Sequence, residues 1–86
     1  MTSGDGWVLT GRARRDFRRL DPPIQRRITD ALDRLVSGRP SGDIVRLAGS
    51  DDEYRLRVGD WRVRFIREDA TVYVLRVLPR GRAYRD

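Results

Sequence analysis

EYRLRVGDWRVRF, residues Glu53–Phe65, is the stretch that decides the fold of this chain. Apolar side chains alternate with arginines on both sides of the pair Gly59-Asp60, which is the pattern of two half-buried strands joined by a two-residue turn. Because a turn of this length sets the register, the facing pairs follow directly. They are Val58 with Trp61, Arg57 with Arg62, Leu56 with Val63, Arg55 with Arg64, and Tyr54 with Phe65. The stretch therefore predicts a β-hairpin with one apolar face and one arginine face.

The predicted arginine face sets like charges directly opposite each other at two positions. Opposed like charges destabilise a sheet, and an ordinary outer face mixes acidic with basic side chains. The arginines therefore indicate a surface that binds an anion. The alternative is a plain solvated face, since charge alternation is common on half-buried strands.

Composition limits the chemistry that this chain can perform. Its 86 residues suffice for a small core, and we expect a single domain over residues 1–86. The chain has no cysteine, which excludes disulfides and thiolate nucleophiles, and no histidine, which removes the commonest general acid or base. No HExxH, GxSxG or P-loop motif is present. We expect neither a metal nor a cofactor.

Charge points to the class of partner. All 19 basic residues are arginine and the net charge is +6, which is typical of a protein that binds a phosphate backbone or is stored with an acidic partner. No apolar run approaches the roughly 20 residues of a membrane span, and the N-terminus lacks the layout of a signal peptide. We expect a cytoplasmic protein with no membrane partner.

Two helices are predicted by apolar residues at helical spacing. The first is basic and is expected to end at Asp21, and the second begins at Pro22-Pro23, since proline suits a first helical turn. The second helix is expected to stop near Ser37-Gly38. The periodic residues are Ala13, Phe17 and Leu20 in the first helix, and Ile24, Ile28, Leu32 and Leu35 in the second. The two helices are expected to form a helical hairpin.

A nearly continuous apolar segment, Thr71–Leu78, predicts a strand that is buried on both faces in the middle of the sheet. We expect Tyr73, Leu75 and Val77 on the core face, which places Arg76 on the arginine face.

Two shorter strands, Trp7–Thr10 and Ile44–Leu47, complete the order β-α-α-β-β-β-β. The predicted fold class is α+β, with the helical hairpin packed on a small, mainly antiparallel, twisted sheet.

This order and four segments resemble the RelE/ParE superfamily of bacterial type II toxins, and more closely its RelE-like ribosome-dependent mRNA endonucleases. The segments are ARRDFRRL, DIVRLAGSDDEYRLRVGDWRVRF, VYVLRV and the C-terminal PRGRAYRD, and together they extend over nearly the whole chain. The resemblance implies a toxin that cuts mRNA in the ribosomal decoding site, beside 16S rRNA, and a cognate acidic antitoxin as its partner.

The resemblance also implies the site. Its catalytic residues fall on Arg55 and Arg57 in the third predicted strand, Arg62 in the fourth, and Arg80 and Tyr84 in the tail. Further RNA-binding residues are expected at Arg46, Arg64, Arg76 and Arg82. The chain departs from the family pattern in having Pro79 where a histidine is usual, and in having no lysine where some members carry one.

These departures affect the predicted mechanism. Cleavage of RNA by its own 2′-OH needs a base, a cationic clamp for the phosphate and an acid for the leaving oxygen. Arginine supplies the clamp but is a poor base, because its pKa exceeds about 12. Tyr84 is the expected proton-transfer group, since nearby arginines favour the phenolate and lower its pKa. The alternatives are that Tyr84 only packs the tail, or that Glu53 is the base.

Two other functions stay open at the level of the sequence. A ParE-like inhibitor of DNA gyrase would need no acid or base, and a binding module would hold RNA or an antitoxin without cutting. The tail residues Arg80 and Tyr84, taken with Arg62, favour the nuclease.

Overall fold

The computed structural model describes residues 3–4, 6–40, 42–47 and 52–81 of the chain. In chain order the elements are β1 (Ser3–Gly4), β2 (Trp7–Leu9), α1 (Gly11–Arg18), α2 (Pro22–Val36), β3 (Ile44–Arg46), β4 (Glu53–Val58), β5 (Trp61–Glu68) and β6 (Thr71–Pro79). The predicted α+β class and element order are confirmed. The two-residue strand β1 precedes the predicted elements and was not expected.

A single sheet carries all the strands in the order β1-β2-β6-β5-β4-β3. Among the strands that the structure describes, β2 and β6 run parallel and the other neighbouring pairs are antiparallel. The apolar strand β6 lies between β2 and β5, as its composition predicted. The hairpin of β4 and β5 has the predicted register at all five facing pairs. Its turn needs a residue with positive φ, which Gly59 supplies at 59°.

The core lies between α2 and one face of the sheet. Ile28 and Leu32 of α2 are fully buried with Leu56 of β4 and Val63 of β5. Each fully buried aliphatic side chain of this kind contributes about 1.5–3 kcal/mol relative to exposure. Trp61 packs against this core from a half-buried position, as expected for a residue of the hairpin's apolar face. The apolar face of the hairpin is thus fixed inward and the arginine face outward.

Helix α1 lies along the edge of β6 beyond the point where β2 ends. The Thr10 backbone N–H donates to Val74 O at 3.0 Å, and the chain then turns into α1 with Thr10 as its N-cap. The helix ends at Arg18, and the expectation that it ends at Asp21 is wrong. The reason is that the N–H groups of Arg19 and Leu20 bond three residues back and close the helix early. The helices are linked by a hydrogen bond from Gln25 Nε2 to Phe17 O at 2.8 Å.

The predicted core face of β6 is wrong at two positions because the sheet contains a β-bulge. Arg64 faces Arg76, but the next residue, Phe65, faces Val74, so one residue of β6 is left over. The bulge reverses the alternation, and Val74 is buried while Tyr73 and Leu75 are only half-buried. The expectations for Val77 on the core face and Arg76 on the arginine face are confirmed. In the described ranges, no helix has the length and apolar character needed to cross a membrane.

Candidate functional site

Four of the five residues predicted to be catalytic lie together on the outer face of the hairpin. We call Arg55, Arg57, Arg62 and Arg80 the arginine cluster. Arg57 and Arg62 face each other across β4 and β5, and Arg55 is two residues further along β4. Arg80 follows β6, and its backbone N–H donates to Asp60 O at 2.8 Å, which ties it to the hairpin turn. The two strands of the hairpin and the segment after β6, which is more distant in sequence, thus converge on one surface.

The other members of the cluster act electrostatically on Arg62. Desolvation, and then the charges of Arg57, Arg55 and Arg80, lower the pKa of Arg62, while Asp60 acts in the opposite direction. The Arg62 guanidinium donates through Nη1 to the backbone oxygens of Gly59 and Trp61, at 3.0 Å each. These hydrogen bonds hold the side chain beside like charges, an arrangement that a bound anion would relieve.

The ion pair of Arg57 with Asp43 is loose. Arg57 Nη1 lies 3.5 Å from Asp43 Oδ2, and the two side chains are 60% and 75% exposed. Exposed pairs of this kind contribute about 0–1 kcal/mol. Arg57 therefore keeps its guanidinium accessible to a ligand.

Two further arginines of this face, Arg64 and Arg76, are held by carboxylates, and we call them the paired flank. Arg64 Nε donates to Glu53 Oε2. Arg76 donates to both oxygens of Asp16, from Nε at 2.8 Å and from Nη2 at 3.2 Å. All four side chains are at most 17% exposed. These two predicted RNA-binding residues are thus placed next to the cluster but are engaged within the fold.

Asp16 is the structural residue that sequence reasoning missed. Besides binding Arg76, it accepts a hydrogen bond from the Val77 backbone N–H at 2.9 Å, at the edge of β6 that β2 no longer covers. It is the one acidic residue within α1. A single carboxylate in an otherwise basic helix was the available signal.

Three predicted residues lie outside this arrangement. Arg46 faces Tyr54 across β3 and β4, and its guanidinium lies 5.9 Å from that ring's centroid, so it occupies the core side of the sheet rather than the arginine face. Arg82 and Tyr84 fall outside the described residues. The roles of all three stay predictions. Glu53, the alternative base, is the partner of Arg64.

As a chemical unit, the arginine cluster is a clamp for phosphate. Guanidinium groups match phosphate oxygens with paired donors and remain charged at any physiological pH. A base or acid would have to come from another group. In the parts of the chain that the structure describes, no group of His, Cys, Asp and Glu side chains could hold a metal ion.

A family model described as the ParE toxin of the type II toxin-antitoxin system, parDE, matches residues 8–84. The chain belongs to this family. It is also 28% identical over 80 residues to a relative named RelE1 from Methanocaldococcus jannaschii, covering 87% of this chain and 89% of that protein. The resemblance to the RelE/ParE superfamily is thereby confirmed, and with it the assignment as a type II toxin.

Two solved structures share the fold of this ParE-family chain. The RelB-RelE antitoxin-toxin complex from Methanococcus jannaschii superposes with a TM-score of 0.72 at 22% identity, over 90% of this chain and 94% of that one. The RelE-RelB complex from Pyrococcus horikoshii OT3 gives a TM-score of 0.70 at 28% identity, over 90% and 96% of the two chains.

Proposed function

We propose that this toxin is a ribosome-dependent endoribonuclease that cleaves mRNA through the 2′-OH of the substrate. The observation that supports this most is the arginine cluster, in which guanidinium groups from β4, β5 and the end of β6 meet on one outer surface. An RNA phosphate passing through its transition state gains negative charge, which is what such a cluster stabilises best.

The proposed reaction needs no metal. A base removes the 2′-OH proton, the 2′ oxygen forms a bond to phosphorus, and the bond from phosphorus to the 5′ oxygen breaks as an acid protonates that oxygen. Arg62, on a rigid strand, and Arg57 opposite it would bind the non-bridging oxygens. Losing one such donor typically costs about 10²- to 10³-fold in rate. Tyr84 is the proposed proton-transfer group.

Dependence on the ribosome is implied by the resemblance to RelE-like nucleases, and the scarcity of acid and base groups agrees with it. A chain without histidine or lysine gains most from a scaffold that already orients the 2′-OH for attack. The decoding site, with mRNA and 16S rRNA, is the proposed scaffold, and it would place the activity in the cytoplasm. Names of the relatives agree with this proposal, since they are RelE proteins.

One observation favours a second candidate, a gyrase-inhibiting toxin. The family model that matches the chain is described as a ParE toxin. Such a protein would bind its target without cutting nucleic acid and would have no need to concentrate arginines around a phosphate. A weakened binding module that holds RNA without cleaving it is the third possibility.

Mapping mRNA 5′ ends after the toxin is induced in a bacterial host separates these functions. The wild type should produce cuts inside translated reading frames, and Arg62→Ala should produce none. Arg67→Ala is the matched control, because Arg67 is an exposed arginine of β5 outside the cluster. DNA breaks without mRNA cuts would indicate gyrase as the target, and binding without either lesion would indicate a binding module.

An acidic antitoxin is the proposed protein partner. The two solved relatives are antitoxin-toxin complexes, and a net charge of +6 favours an acidic partner for this chain. We expect an acidic helix or strand to cover the arginine face or displace the tail. A complex in which the arginine cluster and Tyr84 stayed exposed and ordered as in the free toxin would contradict direct masking.

A further inference from the structure

A second concentration of arginine lies beside the cluster, where α1 meets the sheet. A cavity of about 470 Å³ opens there, and four arginines line it, Arg12 and Arg15 from α1 and Arg64 and Arg76 from β5 and β6. Arg64 faces Arg55 across the hairpin. The cavity therefore lies beside the arginine cluster on the same side of the sheet.

The charges around this cavity do not cancel. Arg64 and Arg76 are balanced by Glu53 and Asp16, but the exposed Arg12 and Arg15 add two further positive charges. The first turn of α1 contains no acidic residue, although acidic side chains are the ones that stabilise that end of a helix. Arg12 is thus placed where helix stability does not require a positive charge, whereas Arg15 lies in the last turn, where a basic residue is favourable.

The cavity lies a short distance from the proposed site of cleavage. Arg62 and Arg64 are two residues apart on β5, which corresponds to about 7 Å along the strand, and β6 lies about 5 Å to the side. One RNA strand can span this separation within a few nucleotides. Guanidinium forks that line a cavity match phosphate oxygens better than they match an apolar surface.

We propose that this cavity binds a second phosphate of the RNA strand whose scissile phosphate lies at the arginine cluster. The proposal rests on RNA being the substrate and adds the direction of the strand, from the hairpin across Arg55 and Arg64 toward α1. Arg12 and Arg15 are then RNA-binding residues that contribute to affinity and do not touch the reacting atoms.

The test is a matched pair of double variants within one helix. Arg12→Gln with Arg15→Gln removes two charges at the cavity, whereas Arg14→Gln with Arg18→Gln removes two charges of α1 that do not line it. Each protein is titrated with a single-stranded RNA oligonucleotide carrying 2′-O-methyl groups, which prevent cleavage, over a series of salt concentrations.

The cavity variant should bind about 10-fold more weakly at low salt, and the slope of log affinity against log salt should fall by about 0.7 for each phosphate that the variant no longer binds. The control variant should keep most of the wild-type slope. The single variant Arg12→Gln should show part of the same loss, which provides a second reading if the double variant folds poorly.

Three results would overturn the inference. The cavity and control variants could lose affinity equally, the wild type could fail to bind the oligonucleotide, or the cavity variant could lose affinity for an antitoxin alone. The proposed function is judged separately by mapping mRNA ends. If the wild type cuts mRNA but both variants bind alike, only the cavity proposal fails. If it cuts nothing but binding depends on Arg12 and Arg15, the nuclease proposal fails and the cavity keeps its role in binding an RNA phosphate without a scissile phosphate beside it.

Discussion

The arginine face has two halves that use the same side chain in opposite ways. In the paired flank, each guanidinium meets a carboxylate in a half-buried contact, Arg64 with Glu53 and Arg76 with Asp16. In the arginine cluster, the neighbouring charges are of the same sign, and after desolvation they are what lowers the pKa of Arg62. The halves are neighbours on β5, only two residues apart.

This difference implies that one half of the face serves stability and the other serves function. A buried ion pair becomes strongly unfavourable when one partner is removed, because a charge is left without compensation. A cluster of like charges has the reverse behaviour, since removing one member relieves repulsion. Mutations in the paired flank should therefore lower stability, and mutations in the arginine cluster should lower activity.

The largest expected effect concerns the proton-transfer group, which the arginine cluster does not supply. Because its four members are all arginine, proton transfer must come from elsewhere, and Tyr84→Phe removes only the ionisable oxygen of the proposed group. Single-turnover cleavage of ribosome-bound mRNA should slow by about 10²- to 10⁴-fold, with ribosome affinity unchanged. A packing tyrosine predicts the opposite pattern, with Tyr84→Phe nearly neutral and Tyr84→Ala damaging.

The next effect is on the stability of the flank. Asp16→Asn keeps the shape of the side chain but leaves Arg76, which is 17% exposed, without its carboxylate. Unfolding free energy should fall by about 2 kcal/mol, and Tm by about 10 °C. Asp30→Asn, at an exposed position of α2, is the control and should change Tm by little. Equal shifts for both would mean that Asp16 does not anchor α1 to β6.

Glu53→Gln tests whether the flank also takes part in catalysis. We expect a loss of about 1–2 kcal/mol in unfolding free energy, because Arg64 loses its charged partner. The single-turnover rate should stay within about threefold of wild type if Glu53 is structural. A rate that fell about 100-fold while Tm stayed unchanged would identify Glu53 as a general base. The paired flank would then take part in catalysis as the arginine cluster does.

The smallest effect should come from Asp43→Asn, which removes the loose partner of Arg57. Since that pair is largely exposed, the unfolding free energy should change by no more than about 0.5 kcal/mol. A much larger fall, measured by thermal unfolding, would show that Arg57 belongs with the structural arginines.

The hairpin was predictable because its information is local. A two-residue turn flanked by strict alternation specifies both the register and the two faces, so the opposition of Arg57 to Arg62 followed from the sequence alone. The bulge between β5 and β6 was not predictable in this way. One extra residue in β6 reversed the alternation on the N-terminal side of Arg76, and nothing in an apolar run marks where that residue lies.

The candidate site likewise has a part that could be predicted from the sequence and a part that could not. The cluster could be predicted, since strand alternation and the family resemblance placed its residues on one surface. The ion pair of Asp16 with Arg76 could not, because the two residues are 60 positions apart and meet only through the packing of α1 on β6. The sequence pattern likewise favoured Arg46 for the RNA-binding set, whereas strand pairing puts it on the core side.

The division of labour between the two halves is tested most directly by comparing Arg62→Ala with Asp16→Asn in single-turnover cleavage of ribosome-bound mRNA, with saturating toxin at one temperature below both melting points. Arg62→Ala should cleave about 10²- to 10³-fold more slowly than wild type while its Tm is unchanged or slightly higher. Asp16→Asn should cleave within about threefold of wild type despite its lower Tm. An Arg62→Ala variant that cleaved at the wild-type rate while its melting temperature collapsed would contradict the assignment of the cluster to chemistry.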